Sequence, residues 1–168
     1  MKVSAKSDYA VRAAAELAAS HSDRPLKAER ISEAQGIPIK FLEAILLELK
    51  HAGVVKSTRG ADDGYALARP ARDISVADVI RAVDGPLANV RGERPEDATY
   101  KGSAENLTKL WVAVRAALRE VLEQTSLEDL VSGKFPRRVR ALTDTQDAWL
   151  SLGRIRGIGV PAGRTAAD

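Results

Sequence analysis

Gly36 and Pro38 flank Ile37 between two stretches of helical apolar spacing, and this punctuation constrains the fold more than any other feature of the chain. Glycine ends a helix readily because it accepts the left-handed conformation. Proline opens one because the first turn needs no N–H from it. The stretch before Gly36 reads as a short helix from about Lys27 to Ala34 with Ile31 pointing inward. The stretch after it reads as a helix from Pro38 to Ala52, stopped by Gly53, with Phe41, Leu42, Ile45, Leu46 and Leu49 as its apolar stripe. Upstream, Ser7 is placed to cap a helix running to about Ser20, with Val11, Ala14, Leu17 and Ala18 on one face.

After Gly53 the period changes. Val54 to Thr58 and Tyr65 to Leu67 read as two strands around the glycine-bounded turn Arg59-Gly60-Ala61-Asp62-Asp63-Gly64. Ser75 and Asp78 are spaced as a capping box and open a helix with Val76, Val79, Ile80 and Val83, closed by Gly85-Pro86. Residues 87–104 are polar and broken by Gly92, Pro95 and Gly102, so they read as a loop longer than a compact domain usually needs. Leu107, Leu110, Trp111, Val114, Leu118, Val121 and Leu122 then form one stripe on a helix of about 20 residues, roughly Glu105–Gln124. Ser126 and Asp129 open a further helix with Leu127, Leu130 and Val131, ended by Gly133. Beyond Phe135 the pattern supports a short helix around Asp144–Leu152 and a disordered end.

At 168 residues, the chain has room for one domain or one domain with a small appendage. Its residues are 45% hydrophobic but 4% aromatic, so aliphatic side chains must fill the core, which suits packed helices. Cysteine is absent, which excludes disulfides, thiolate metal sites and cysteine nucleophiles. Asp8, Arg12 and Glu16 interrupt the alanine-rich start and argue against an export signal, and no run is long and apolar enough to span a membrane. A cytoplasmic location is the expectation. The net charge of +3 permits a nucleic-acid partner without requiring one, and the basic excess falls in the tail after residue 134. No phosphate-binding glycine loop and no serine–histidine–acid pattern is present, so no catalytic residue is assigned and an enzyme is not expected. His21 and His51 have no partners at ligand spacing, so no metal site is expected.

The order helix, short helix, turn, helix, hairpin, helix describes a winged helix-turn-helix. In that motif the second helix of the pair enters the major groove. If the apolar stripe of Pro38–Ala52 faces the core, Lys40, Glu43, Ala44 and Leu47 face outward near its start. Glu43 can accept from the cytosine amino group, and Lys40 can donate to guanine or to phosphate. Arg59 at the hairpin tip suits the narrow, negative minor groove. The competing reading is a solvated face on which Glu43 pairs with Lys40 or Lys50, beside a hairpin that is only a turn.

Residues 1–131 resemble the Rrf-two family of bacterial winged-helix transcription regulators. The resemblance rests first on Lys2 to Lys6, Tyr9 to Ala13, Ile37-Pro38-Ile39-Lys40-Phe41-Leu42-Glu43 and Leu49 to Val55. Arg59-Gly60, Gly64-Tyr65 and Leu67 to Pro70 continue it. Ile74 to Leu87 and Leu127 to Val131 complete it, the string Asp78 to Leu87 being the most specific. The resemblance implies a mainly helical fold with a small β-hairpin, a winged helix-turn-helix domain and a long dimerisation helix. It implies residues 1–86 as the DNA-binding domain, 87–104 as a flexible loop at the family's sensor position and 105–134 as dimerisation helices; residues 135–168, beyond the resemblance, read as a partly disordered tail. It further implies a homodimer packed through Leu107, Leu110, Trp111, Val114, Leu118, Val121 and Leu122. Double-stranded DNA would be held by Lys2, Ser4, Lys6 and the start of the second helix at Ala28, and read by Lys40, Glu43, Ala44, Arg59 and Gly60. A repressor is the expected sense.

Two departures qualify what the resemblance implies. Well-known members carry three cysteines in the loop and bind an iron–sulfur cluster there; this loop has neither cysteine nor histidine, so no cluster and no other cofactor is expected. Asp62 and Asp63 place acid in a wing where phosphates would approach, which bears on the wing contacts but not on the recognition helix. Two alternatives keep the fold: a protein-interaction regulator that has lost DNA binding, and a DNA-binding regulator that answers to a metabolite or a partner enzyme.

Overall fold

Ser4, with extended backbone, caps the first helix by accepting a hydrogen bond from the Ser7 N–H at 2.9 Å, and α1 runs from Ala5 to Ala19. The computed structural model describes residues 3–20, 25–58 and 63–150. The cap therefore lies three residues before the expected Ser7, whose side chain is buried and bonded elsewhere. The buried face turns accordingly: Ala10, Ala13, Ala14 and Leu17 are in the core, while Val11 and Ala18 are only partly covered. Alanine on that face lets neighbouring helices approach closely, and α1 is the central element, packed against the next three helices and against the later helix Leu127–Ser132.

The expected helix pair forms. α2 spans Ala28–Gln35, buries Ile31 and ends at Gly36, which adopts φ +60° and donates its N–H to the Ser32 carbonyl. Pro38 precedes α3, Ile39–His51, which buries Leu42, Ile45, Leu46 and Leu49. Phe41 departs from the expected stripe and is 64% exposed. It sits in the first turn, at the edge of the arc those four side chains fill, so the helix carries it past the core.

β1, Val55–Thr58, pairs antiparallel with β2, Gly64–Leu67, in the register Val55 to Leu67 through Thr58 to Gly64. A single 3-10 turn at Ala71–Asp73 leads to α4, Val76–Asp84. The expected capping box is present: the Ser75 hydroxyl accepts from the Asp78 N–H, and the Asp78 carboxylate accepts from the Ser75 N–H. A second box at Ser126 and Asp129 opens α6, Leu127–Ser132. The two helix starts lie side by side, with Val76 N–H bonded to the Thr125 carbonyl at 2.8 Å and Leu127 N–H to the Ile74 carbonyl at 2.9 Å. This pairing drives Leu127 into the core.

Between α4 and α6 the polar loop places two residues inside the fold. Pro95 and Ala98 are buried, and the Thr108 hydroxyl donates to the Ala98 carbonyl at 2.7 Å. α5 covers Leu107–Leu122, two residues inside the expected bounds at each end, and a 3-10 turn at Gly102–Ala104, with Gly102 at positive φ, precedes it. The chain separates into two compact units, Met1–Pro136 and Arg137–Asp168. In the second, α7 occupies Arg137–Thr143 and a 3-10 turn Gln146–Trp149, in place of the helix expected around Asp144–Leu152. The Thr143 and Thr145 hydroxyls donate back to preceding carbonyls, and the Trp149 indole donates to the Thr143 carbonyl at 2.8 Å, which closes the chain into turns. The disordered end expected after Arg154 lies outside the described residues. Among the described residues no helix is long and apolar enough to cross a membrane.

Candidate nucleic-acid interface

One side of α3 is full and the other is free. With Leu42, Ile45, Leu46 and Leu49 in the core, Lys40, Glu43, Ala44 and Leu47 all lie on the exposed side, as expected from the spacing. Lys40 and Glu43 form an ion pair at 3.3 Å one turn apart. Both are solvated, and pairs of this kind contribute about 0–1 kcal/mol, so either partner can exchange for another at little cost. Lys50 adds a cation to the last turn, next to His51.

The wing is fastened to the start of α2. Leu26 and Tyr65 exchange two backbone hydrogen bonds of 2.8 Å, which extends the hairpin by one bridge. Gly64 makes this approach possible. A Cβ there would stand 2.7 Å from the Leu26 carbonyl oxygen, and its φ of +151° also disfavours a side chain. Beside it, Lys27 pairs with Asp63 at 3.3 Å. One of the two acidic wing residues is thus neutralised by the residue that precedes Ala28, the first residue of α2. A shallow groove of about 370 Å³ joins the α2 start, the end of α3 and the wing, lined by Lys27, Lys50, Ser57, Thr58, Asp63 and Tyr65. Lys2, Arg59, Gly60 and Asp62 lie outside the described residues.

Ser4 and Lys6 are engaged within the protomer. The Ser4 and Ser7 hydroxyls both donate to the Asp84 carboxylate, Ser7 at 2.6 Å. Lys6 donates to the Val83 carbonyl at 2.9 Å and pairs with Glu48 at 2.7 Å. These contacts tie α1 to the end of α4 and to α3. The hydrogen bond from Ser4, then that from Ser7, hold the Asp84 carboxyl below the usual aspartate range, with Lys6 assisting and partial burial opposing.

Besides the Thr108 hydroxyl bond to the Ala98 carbonyl, two ion-pair groups tie the long helix to its surroundings. Glu96 of the preceding loop pairs with Arg115, and Glu123 at the helix end pairs with Arg81 of α4 and, at 2.9 Å, with Arg119. The Glu123 carboxyl is lowered first by Arg81 and then by Arg119; that of Glu96 is lowered first by its own backbone N–H and then by Arg115. Of the stripe, Leu107, Trp111, Val114, Leu118, Val121 and Leu122 are half-buried and Leu110 is 53% exposed, so no residue of α5 is fully buried in the protomer.

The exposure of Phe41, the close approach of Gly64 to Leu26 and the Lys27–Asp63 pair are features of this surface that the sequence reading missed. Phe41 followed its neighbours in apolar spacing, and the other two depend on the Leu26–Tyr65 bridge, which local sequence does not signal. The glycine after two aspartates was the only available hint.

Residues 3–133 match the family model Rrf2, described as an iron-dependent transcriptional regulator. A Mycobacterium tuberculosis protein named as an HTH-type transcriptional regulator is 46% identical over 144 residues, which cover 86% of this chain and 89% of that one. The HTH-type transcriptional regulator CymR of Bacillus subtilis is 35% identical over 132 residues, covering 79% and 91%. The solved structure of B. subtilis CymR superposes with a TM-score of 0.68 at 33% identity over 79% of this chain and 98% of its own. That of IscR from T. potens superposes with 0.62 at 33% identity over 91% and 94%. The residues present do not fit an iron–sulfur cluster. The chain has no cysteine, the loop carries no histidine, and its Glu96 and Asp97 face Arg115 and Arg94.

Proposed function

The chain belongs to the Rrf2 family of helix-turn-helix DNA-binding transcriptional regulators, and we propose that it is a homodimeric, sequence-specific repressor that reads double-stranded DNA with α3 and uses no iron–sulfur cluster. The observation that carries this reading is the free face of α3, with Lys40, Glu43, Ala44 and Leu47 exposed while four neighbours anchor the opposite side. A helix held in this way is rigid and presents its first turns to a major groove.

In this reading Glu43 leaves Lys40 and accepts from a cytosine amino group, and Lys40 turns to guanine or phosphate. Arg59 enters the minor groove, with Gly60 giving the wing backbone room beside it. Lys2 and the backbone at Ala28 position phosphates, while Ser4 and Lys6 hold the α1–α4 junction behind them. Residues 1–86 form the DNA-binding part, 87–104 the loop and 105–134 the dimerisation helices, with the half-buried stripe of α5 against its twin. Residues 135–168 follow as the tail, and the protein acts in the cytoplasm. The pairing of Asp63 with Lys27 lowers the repulsion that an acidic wing would otherwise offer phosphate. A metabolite-responsive form of the same reading is favoured by one observation. A cleft of about 500 Å³ between the α1 start, the loop and α5 is lined by Ile80, Leu87, Trp111, Val114 and Leu118.

Mobility-shift assays on upstream DNA at two salt concentrations test the proposal. Specific shifts that weaken steeply with salt are expected. Glu43→Ala should blur the preference at one or two base pairs. Equal weakening on every sequence would remove Glu43 from base reading. A cluster absorbance band in anaerobically purified protein would overturn the cofactor assignment.

A further inference from the structure

The exposed face of α3 carries an oblique apolar strip. Phe41, Ala44 and Leu47 occupy successive turns, and Phe41 is 64% and Leu47 51% exposed. Isolated apolar side chains on a surface are ordinary. Three at steps of three residues on one short helix, with Lys40 at the start and Lys50 continuing the row, form a directed feature. None of the three can donate or accept a hydrogen bond through its side chain, so the strip adds nothing to the polar code that Lys40 and Glu43 can read. In the major groove one apolar group distinguishes the bases, the C5-methyl of thymine. At 1.5 Å rise per residue, Phe41 to Leu47 spans about 9 Å, roughly three base-pair steps.

We propose that this strip reads thymine methyl groups, so that the half-site places thymines beside the base pair contacted by Glu43. The inference rests on the DNA-reading role of α3 and adds to it the class of base recognised. The chemistry is contact and desolvation alone. Each thymine methyl seated against the phenyl ring, the Ala44 methyl or the Leu47 isobutyl group leaves water, and removing one methyl should weaken binding about fourfold, the equivalent of one apolar carbon.

The test begins with selection of duplexes from a random library by the full-length protein. Each thymine of the enriched half-site is then replaced by uracil, which keeps every hydrogen-bonding group and lacks only the methyl. Two or three positions should each lose about fourfold in affinity. Phe41→Ala and Leu47→Ala, both at exposed positions and checked for an unchanged Tm, should each make one of those positions indifferent to the exchange. Uracil tolerated at every position by the wild-type protein would overturn the proposal while leaving DNA binding intact. Phe41→Ala and Leu47→Ala that weaken thymine and uracil duplexes by the same factor would overturn it too, assigning the strip to the sugar–phosphate backbone. Failure to enrich any duplex would instead bring down the DNA-reading role, and this inference with it.

Discussion

The hydroxyl of Ser7, buried in α1, donates a hydrogen bond of 2.6 Å to the carboxylate of Asp84, the last residue of α4, 77 positions along the chain. Ser4 donates to the same carboxylate, and together they hold its pKa below the ordinary value of 3.8. A carboxyl whose folded pKa is depressed contributes stability that is present above the unfolded value and lost as the pH falls through the folded one. Asp84→Asn should therefore lower Tm at neutral pH, and the gap to wild type should close as the pH falls below 3.8. Ser7→Ala should cost about 1.5 kcal/mol at neutral pH, the range for a hydrogen bond to a charged group. Thermal melts across that interval read both effects.

Gly64 lies where the wing meets the start of α2, and a side chain there would meet the Leu26 carbonyl at 2.7 Å. Gly64→Ala should cost about 1–3 kcal/mol, typical of overpacking, and should break the Leu26–Tyr65 bridge. The α3 face would be untouched, so DNA affinity should fall through loss of the wing while base preference at the Glu43 position persists. Tm and a binding-site selection on the variant separate these two effects.

The framework was legible wherever one local rule decided the outcome. Gly36, Pro38, Gly85 and Gly133 marked helix ends that their backbone angles or caps explain, and both capping boxes could be read from Ser-x-x-Asp. The reading faltered where tertiary partners decide. Ser7 looked like a cap because its spacing suits one, but Ser4 takes that role and Ser7 turns to Asp84, a partner far away in sequence. Phe41 looked like core because it stands beside Leu42, yet the buried arc is already filled. The loop before α5 is polar overall, and composition does not encode which of its residues, Pro95 and Ala98, are buried. For the interface, the outward positions of α3 followed from the apolar period, but the fastening of the wing to α2 did not.

Lys27 is held at 3.3 Å by Asp63, both largely solvated, immediately before α2. Asp63→Asn frees this cation next to the proposed phosphate path and removes one negative charge from the wing. Stability should change little, as expected for an exposed pair. Affinity for any duplex should rise, and the slope of log affinity against log salt should steepen by about one. Salt titrations of wild type and variant on the same duplex measure the change. An unchanged slope would show that Lys27 does not face phosphate.

Leu110 is the stripe position of α5 that the protomer covers least, at 53% exposed. Leu110→Arg should therefore leave folding and Tm of the protomer nearly intact. If α5 packs against its twin, the substitution buries an unpaired charge at the contact, at a cost of about 3–5 kcal/mol. That corresponds to a dimer dissociation constant raised by roughly two to four orders of magnitude. Sedimentation at micromolar concentration should show a monomer in place of a dimer. Binding to a palindromic site should fall in parallel, because a monomer engages one half-site alone. A dimer that survives Leu110→Arg unweakened would place the interface elsewhere and leave the stripe of α5 to serve the cleft beside Trp111.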